Sequence, residues 1–348
     1  RFGRAAVGSG IPQVIAAAQA PETSRALVSI PIALWKFGLT ILVLLGGASV
    51  GREGPTVQIS AALMVAWHRA LRVPISPGVL IAGGAAGVAA AFNTPLAGIA
   101  FAIEELASAY EQRVAVLVMG TVMIAGLTSL GIAGDYVYFG AMGRTLPLAS
   151  TLIFAPVVGL LGGLAGGAFT RAVLWFGRSP SPFVKRIRES PVLFAAGMGI
   201  VVAAIGLLSG GLTWGTGYAP TRTLLAGDAV APGFGPLKFI ASLATTLSGV
   251  PGGVFAPSLA VGAGLGNIAA LVASPQAQGP IVLLGMTAYF TGVVRAPLTA
   301  VIIMIETTAS RGMILPLFAV ALIADATSAL ISPQRLYHGL SMRFRPAE

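Results

Sequence analysis

The chain has 348 residues, of which 56% are hydrophobic and only 9% are charged. Soluble domains carry about 25% charged residues, and the mean hydropathy here is +0.89, so a water-soluble globule is excluded. Because there is no cysteine, disulfide frameworks, thiolate nucleophiles and cysteine-based metal sites are excluded too. The net charge of +10 is spread over short connectors and not along one stripe, which argues against nucleic-acid binding.

Long uncharged runs follow one another along the chain, at residues 73–103, 114–134, 145–170, 190–221 and 239–294. A membrane-spanning helix needs about 20 apolar residues, and continuous runs are typical of helices, whereas barrels show alternation. The runs therefore predict an all-α polytopic membrane protein. Basic residues concentrate in one connector and near the C-terminus, which places both on the cytoplasmic side. These residues are Arg171, Arg178, Lys185, Arg186, Arg188, Arg335, Arg343 and Arg345.

The sequence repeats itself at an offset of 202 residues. This offset superposes the segments 51–55 and 253–257, then 95–99 and 297–301, and finally Glu104 and Glu306. An earlier pair, at residues 8–10 and 215–217, matches at an offset of 207. The repeat predicts two structural halves, at residues 1–140 and 145–348. Spacing alone does not fix their relative orientation, but inverted-topology repeats are the common plan in transporters.

Three glycine and proline motifs interrupt the apolar sequence, at residues 8–12, 51–55 and 252–257. Proline is tolerated in the first turn of a helix, so each motif predicts a break followed by a new helix N-terminus at membrane depth. Irregular backbone survives there only where it lines a cavity, and helix N-termini favour anions. The broken helices thus predict a mid-membrane anion site. The alternative is that the motifs are simple kinks or close helix crossings.

Acidic residues are few, and several are surrounded by apolar sequence, where an ionisable group is a functional candidate. Glu53 lies inside the second motif, where its carboxylate can occupy the anion site or be protonated and move away. It would then be both a gate and a proton carrier; the alternative is a helix N-cap. Glu104 and Glu105 point about 100° apart on a helix, so one of them faces a given pathway. The match of Glu306 to Glu104 indicates a structural role for that pair.

The three motifs, together with the segment Phe92-Asn-Thr-Pro-Leu-Ala-Gly-Ile-Ala-Phe-Ala-Ile-Glu-Glu105, resemble the CLC family of chloride channels and transporters over essentially the whole chain. The resemblance makes the motifs the selectivity filter and the segment the proton-pathway helix. Besides the residues given roles below, the filter motifs comprise Gly8, Gly10, Ile11, Pro12, Gly51, Arg52, Gly54, Pro55, Gly253, Ala256 and Pro257.

The same resemblance implies roles for four residues at the anion. The Ser9 hydroxyl would bind the central chloride, beside the backbone N–H groups of Val254 and Phe255. Tyr337 matches the filter tyrosine of the family, whose hydroxyl closes the site. Because nitrate-preferring and fluoride-exporting members depart from serine at the first of these positions, Ser9 predicts a preference for chloride over nitrate and fluoride.

For the proton, the resemblance implies that Glu53 is the external gate and Glu105 the internal transfer group. Lys36 matches a lysine near that internal glutamate; the alternative is a surface lysine that snorkels to the membrane interface. At Ile15 some relatives carry a glutamate linked to the internal proton site, so proton uptake is expected to differ here.

The resemblance is to the short prokaryotic form, without a cytoplasmic regulatory domain and with the upstream N-terminal helices of the family missing. It implies a homodimer with one pore per subunit in the bacterial inner membrane, with chloride as substrate, no cofactor and no metal. His68 and His338 are too far apart in sequence for a metal cluster.

Three functions are considered for this sequence: an antiporter, a passive channel and an intramembrane enzyme. A chloride/proton antiporter needs both Glu53 and an inner carboxylate, whereas a passive channel, gated by voltage or protons, needs only the gate. Channels of the family usually lack the inner glutamate, so the presence of Glu105 favours the antiporter. An intramembrane enzyme would leave the helix N-termini unexplained, and neither nucleotide-binding nor hydrolase motifs occur.

Overall fold

The computed structural model describes residues 5–107 and 112–345. In this part of the chain the regular structure is helical, and strand-like pairing is limited to one bridge between Gly51 and Gly253. The α-helices are α1 (Ile11–Gln19), α2 (Ser24–Leu27), α3 (Ile30–Leu45), α4 (Glu53–Ala70), α5 (Pro77–Phe92), α6 (Pro95–Phe101), α7 (Gln112–Ala133), α8 (Leu148–Arg178), α9 (Pro182–Glu189), α10 (Pro191–Leu208), α11 (Tyr218–Ala226), α12 (Phe234–Ser248), α13 (Phe255–Ala270), α14 (Pro275–Val294), α15 (Pro297–Thr308), α16 (Ile314–Ile331) and α17 (Leu336–Ser341).

Five helical segments are long and apolar enough to cross a membrane: Val114–Ala133, Leu148–Arg178, Pro191–Leu208, Pro275–Val294 and Arg311–Ile331. A sixth crossing is formed if Pro21–Leu27 and Ile30–Leu45, which meet at 47°, count as one bent span. The prediction of an all-α polytopic membrane protein is confirmed.

Glycines bring the central helices into backbone contact. A Cβ at Gly166 of α8 would lie 2.5 Å from the carbonyl carbon of Gly292 in α14. On the other side of α14, a Cβ at Gly262 of α13 would lie 2.5 Å from the carbonyl oxygen of Gly285. Small residues allow such close approach, which is how helices associate in lipid. They make α14 the buried centre of the second half.

The backbone repeats at the same offset as the sequence. The residue that caps the C-terminus of α5 is Asn93 and that of α14 is Arg295, 202 residues later, and both residues are left-handed, with φ of 57° and 61°. Each is followed by one extended residue and then by a short helix that begins with proline, α6 in one case and α15 in the other. These matching ends are what two repeats would produce. The boundary near residue 140 stays a prediction; it falls in the connector between α7 and α8.

Candidate anion site and proton-transfer groups

The loops before three helices meet through their backbones. Gly51 and Gly253 exchange two N–H···O hydrogen bonds of 2.7 Å each. Gly252 donates its N–H to the carbonyl of Gly8 at 3.0 Å, and Gly8 donates to the carbonyl of Gly249 at 3.3 Å. The predicted breaks are therefore confirmed as starts of α1, α4 and α13, and their N-termini converge on one region. The alternative of isolated kinks is wrong.

Glycine is required at this junction because there is no room for side chains. A Cβ at Gly54 would collide with the Ser9 hydroxyl, and one at Gly51 would collide with the Glu53 carboxylate. Gly10 has φ of +103°, which side chains disfavour, and its Cβ would lie 2.8 Å from the carbonyl of Gly54. The close contact exposes backbone N–H groups to the space between the helices.

Three buried polar groups at this junction have an oxygen without a hydrogen-bond partner among the described residues: the Ser9 hydroxyl, the Tyr337 hydroxyl and one carboxylate oxygen of Glu53. A buried polar group left unpaired costs about 1–3 kcal/mol, so such a cluster is typical of a site for a mobile ligand. The ring of Phe255 packs against Tyr337, with 5.9 Å between ring centroids, and against Phe290 at 4.9 Å. Ser9, Tyr337 and Val254, the residue before α13, line one cavity.

Glu53 is the first residue of α4 and is fully buried. Its other carboxylate oxygen accepts a hydrogen bond of 3.4 Å from the N–H of Ala256, in the first turn of α13. The carboxylate therefore lies at the N-terminus of a helix from the second half of the chain, where an anion would be stabilised. This contact joins the two halves, which capping of its own helix would not do.

The loop before α1 is held by three buried side-chain donors that take up its carbonyl oxygens. Lys36 donates to Ala6 at 2.7 Å and Gly8 at 2.6 Å, Gln13 to Ala5 at 3.0 Å and Val7 at 2.7 Å, and Gln58 to Ala5 at 2.9 Å. With its carbonyls occupied, the loop presents hydroxyl and N–H groups to the anion region. Lys36 is fully buried, so the alternative of a snorkelling lysine is wrong. Its two hydrogen bonds go to this loop, whereas the ionic partners of Glu105 are Arg335 and His338.

Lys238 repeats this arrangement 202 residues later. It is fully buried and donates to the carbonyls of Thr213 at 2.9 Å and Gly215 at 2.7 Å. These carbonyls belong to the loop before α11, the counterpart of the loop before α1. Neither the role of Lys36 nor its counterpart Lys238 was predicted from the sequence, although the offset of 202 relates the two lysines.

Replacing Lys36 by Met is expected to weaken chloride binding about 10-fold, because the Ser9 loop loses two buried hydrogen bonds worth about 1 kcal/mol each. Lys238→Met is the matched control: it removes the same contacts from a loop that carries no filter serine, so its chloride affinity should stay near that of the unmodified protein. Isothermal titration of the purified proteins with chloride gives both values. Equal losses in the two variants would contradict a specific role for Lys36.

Glu104 caps the N-terminus of α15, and Glu306 caps the N-terminus of α6. The Glu104 carboxylate accepts hydrogen bonds from Leu298 at 3.1 Å and Thr299 at 2.7 Å, at the start of α15. The Glu306 carboxylate accepts from Leu96 at 3.1 Å and Ala97 at 2.7 Å, at the start of α6. Carboxylates at helix N-termini are stabilising, so the exchange locks the two halves together. The structural role expected for this pair is confirmed.

Glu105 follows on a π-helical turn, Ala102–Leu106, and is fully buried. Its carboxylate points away from α15 and towards α17. His338 places Nδ1 at 3.3 Å from Oε1, and an Arg335 nitrogen lies 4.0 Å from Oε2. This contact of His338 was not predicted from the sequence, where the residue was considered only as a metal ligand; its place directly after Tyr337 was the available signal.

Two cavities lie on opposite faces of α17. One, of about 240 Å³, is lined by Ser9, Tyr337, Arg188 and Arg343. The other, of about 540 Å³, is lined by Glu104, Arg335 and His338 and shares no lining residue with the first. We call them the anion cavity and the proton cavity. Both lie on the side of the basic residues, which the positive-inside rule makes cytoplasmic.

The anion cavity ends in a group of arginines. Arg178 and Arg188 lie close enough to Arg343 for their charges to interact, and Arg178 donates to the carbonyl of Gly339 at 2.8 Å. No carboxylate lines this cavity among the described residues. Its mouth therefore attracts anions. The contact with Gly339 also joins the end of α8 to the C-terminal segment.

Asp325 is a further carboxylate surrounded by apolar sequence. Asp325 forms an ion pair of 3.1 Å with Arg295, so it is not a free carboxylate at membrane depth. Within residues 5–107 and 112–345, no three potential ligands are placed to hold a metal ion.

Residues 1–329 match the family described as voltage gated chloride channel. The chain belongs to this family. The H(+)/Cl(-) exchange transporter ClcA of Yersinia pestis is 32% identical over 379 residues, covering 99% of this chain and 74% of the relative. The protein of the same name from Vibrio cholerae serotype O1 is 32% identical over 362 residues, covering 99% and 75%.

Solved structures of family members share the fold. One described as a slow cyanobacterial Cl-/H+ antiporter has a TM-score of 0.80 at 26% identity and covers 99% of this chain and 82% of its own. A CLC-type fluoride/proton antiporter has a TM-score of 0.77 at 23% identity, over 95% and 82% of the two chains. The resemblance seen in the motifs is thus confirmed at the level of family and fold, and this is a multi-pass integral membrane protein.

Proposed function

We infer that this protein exchanges chloride for protons across the membrane. The observation that carries this function is the pair of separate cavities on the two faces of α17. One is lined by Ser9 and Tyr337, and the other is lined by His338, the residue that contacts Glu105. A passive pore needs one route from the filter to the inner solution. A second route to a buried carboxylate is what proton coupling requires. The family relatives named above as exchange transporters support the same function.

Chloride is proposed to enter the anion cavity past Arg188 and Arg343 and to bind between the hydroxyls of Ser9 and Tyr337. The N–H groups of Val254 and Phe255, at the start of α13, supply the remaining donors. No full positive charge is needed at the centre, because helix N-termini and hydroxyls stabilise an anion that must also leave. The aromatic ring of Phe255 excludes water from one side.

The proton is proposed to travel by two carboxylates. Glu53 holds the N-terminus of α13 when ionised, and an incoming chloride displaces it when it is protonated. Glu105 receives or delivers the proton on the inner side, through the proton cavity. The two carboxylates contact different helices, α13 and α17, which argues against a two-carboxylate enzyme site.

The test is paired recording of chloride and pH in proteoliposomes under an imposed chloride gradient. An antiporter moves protons against their own gradient when chloride flows down its gradient, and its reversal potential depends on both ions. Chloride flux with a reversal potential that ignores pH would establish the passive channel instead. Proton movement without chloride flux would contradict both.

Three further properties belong to the same proposal. The protein is proposed to be a homodimer with one pore per subunit, to lie in the bacterial inner membrane, and to carry chloride as substrate without a resident cofactor. Chemical cross-linking in the membrane, compared with the mass of the purified detergent complex, tests the dimer. A monomer by both measurements would overturn it.

Replacing Ser9 by Pro is expected to change selectivity and leave the fold intact. The single hydroxyl donor that suits a spherical anion is lost, together with one backbone N–H, so chloride should lose its advantage over planar nitrate by about 10-fold, the worth of about 1.4 kcal/mol. Nitrate-driven proton pumping, relative to chloride-driven pumping, is the measurement. An unmodified protein that moves fluoride much better than chloride would contradict the role of Ser9.

A further inference from the structure

A proton that reaches Glu105 from the side where the basic residues lie must cross from solution to a carboxylate that has no exposed surface. The side chain of His338 is 34% exposed while that of Glu105 is 0% exposed, and Nδ1 lies 3.3 Å from Oε1. The same imidazole lines the proton cavity. We propose that His338 is the proton-transfer group between Glu105 and the inner solution; this rests on the proposed antiport.

The transfer is balanced within the pair. A doubly protonated imidazole gives its Nδ1 proton to Oε1 of Glu105, so that one N–H bond breaks, one O–H bond forms, and both side chains become neutral. The neutral ring, now protonated only at Nε2, turns Nδ1 towards the cavity, takes a proton there from hydronium, which becomes water, and turns back to Glu105. In the opposite transport direction the same steps run in reverse. Imidazole is suited to this because its ordinary pKa, about 6.5, lies near physiological pH.

Two guanidinium groups and one buried carboxylate lie around the ring. Arg335 lies 4.0 Å from Glu105 and donates to the carbonyl of Glu104 at 3.1 Å, while the Glu104 carboxylate is occupied at α15. Arg345 also lines the cavity, and the contribution of α1 to its wall is the neutral Gln19. Among the described residues, Glu105 is thus the carboxylate in contact with His338.

The position of His338 on α17 explains why it serves the proton and not the anion. Adjacent residues on a helix point about 100° apart. Tyr337 therefore faces the anion cavity, while His338 faces the proton cavity and Glu105. On the neighbouring helix α1, the buried side chain of Ile15 offers no titratable group that could do the same.

The test compares His338→Gln with His68→Gln in proteoliposomes. His68 is the other histidine of the chain, and its Nδ1 donates to the carbonyl oxygen of Met64 within its own helix, at 3.0 Å. We expect proton transport in His338→Gln to fall on the order of 10- to 100-fold, with chloride flux retained. Glutamine keeps a hydrogen bond but cannot take up and release a proton. His68→Gln should match the unmodified protein in both fluxes.

The dependence on inner pH separates proton transfer from a structural role. In the unmodified protein, proton transport at constant driving force should depend on the inner pH, and His338→Gln should lose that dependence. Imidazole enclosed in the vesicles should restore proton transport to His338→Ala, whereas a larger buffer of similar pKa should not. A flat inner-pH profile of the unmodified protein overturns the proposal even where a variant fails to fold.

Two outcomes distinguish this proposal from the antiport on which it rests. If the unmodified protein pumps protons and His338→Gln pumps equally fast with the same inner-pH profile, the relay is wrong and the antiport stands. If the unmodified protein moves chloride without protons, the antiport is wrong, and the relay falls with it.

Discussion

Glu53→Gln is expected to abolish proton transport while chloride continues to cross the membrane. Glutamine has nearly the same shape as glutamic acid but cannot bind and release a proton, so the step in which the gate is protonated disappears. The amide also binds the N-terminus of α13 more weakly than a carboxylate does, so chloride competes with it more easily. Proton pumping under a chloride gradient should fall at least about 100-fold, as for loss of a general acid or base. Simultaneous pH and chloride recording measures both.

A matched control is available in the same chain. Glu22 lies exposed in the short turn Pro21–Thr23, outside both cavities, and Glu22→Gln removes the same charge. It should pump protons as the unmodified protein does. If Glu53→Gln pumps protons at the rate of Glu22→Gln, the gate is not the proton carrier. If it loses chloride flux altogether, the carboxylate is needed for the structure of the filter and not for coupling.

The helix starts and the anion region could be predicted because their signals are local. Glycine and proline inside apolar runs predict breaks, and the offset of 202 makes two of the breaks equivalent, so their convergence follows from the repeat. The junction of Gly51 and Gly253 is the physical form of that equivalence. Glu53 was identifiable for the same reason, as a carboxylate inside a predicted break.

The contacts that position the site could not be predicted, because they join residues far apart in sequence. The Glu104 carboxylate finds its partners about 200 residues later, at the start of α15. The donors that hold residues 5–8 come from α1, α3 and α4, and no motif links them. His338 and Glu105 are 233 residues apart. Pairings of this kind depend on how the helices pack, which a single sequence does not encode locally.

Neighbouring residues of α17 serve different ions because the helix is short and buried. It spans Leu336–Ser341, less than two turns, so consecutive residues reach different surroundings: Tyr337 the anion, His338 the proton. Substitutions on this helix should therefore separate the two fluxes more cleanly than substitutions in the filter loops, where the gate and the anion share one space.

Glu105→Gln is expected to stop proton transport and to spare most of the chloride flux. Its carboxylate contacts His338 and Arg335 on the proton side of α17, whereas the anion cavity is bounded by the other face. Replacing it removes the inner acceptor of the proton, and no described residue in contact with His338 can take its place. We expect proton pumping to fall at least about 100-fold, with chloride flux reduced by no more than a few-fold. Chloride-driven pH change in proteoliposomes, with chloride efflux measured in the same preparation, gives both values.

Glu104→Gln is the control that makes this result specific, because it alters the neighbouring residue on the same π-helical turn. Its amide oxygen can still accept from the start of α15, so the loss should appear as a lower thermal unfolding temperature and not as lost coupling. One charge-assisted cap is worth about 0.3–1 kcal/mol, which makes that shift small. Coupling lost equally in Glu104→Gln and Glu105→Gln would assign both effects to the packing of α6 against α15. Uphill pumping that persists in Glu105→Gln would remove the inner carboxylate from the proton route, and the His338 relay that depends on it.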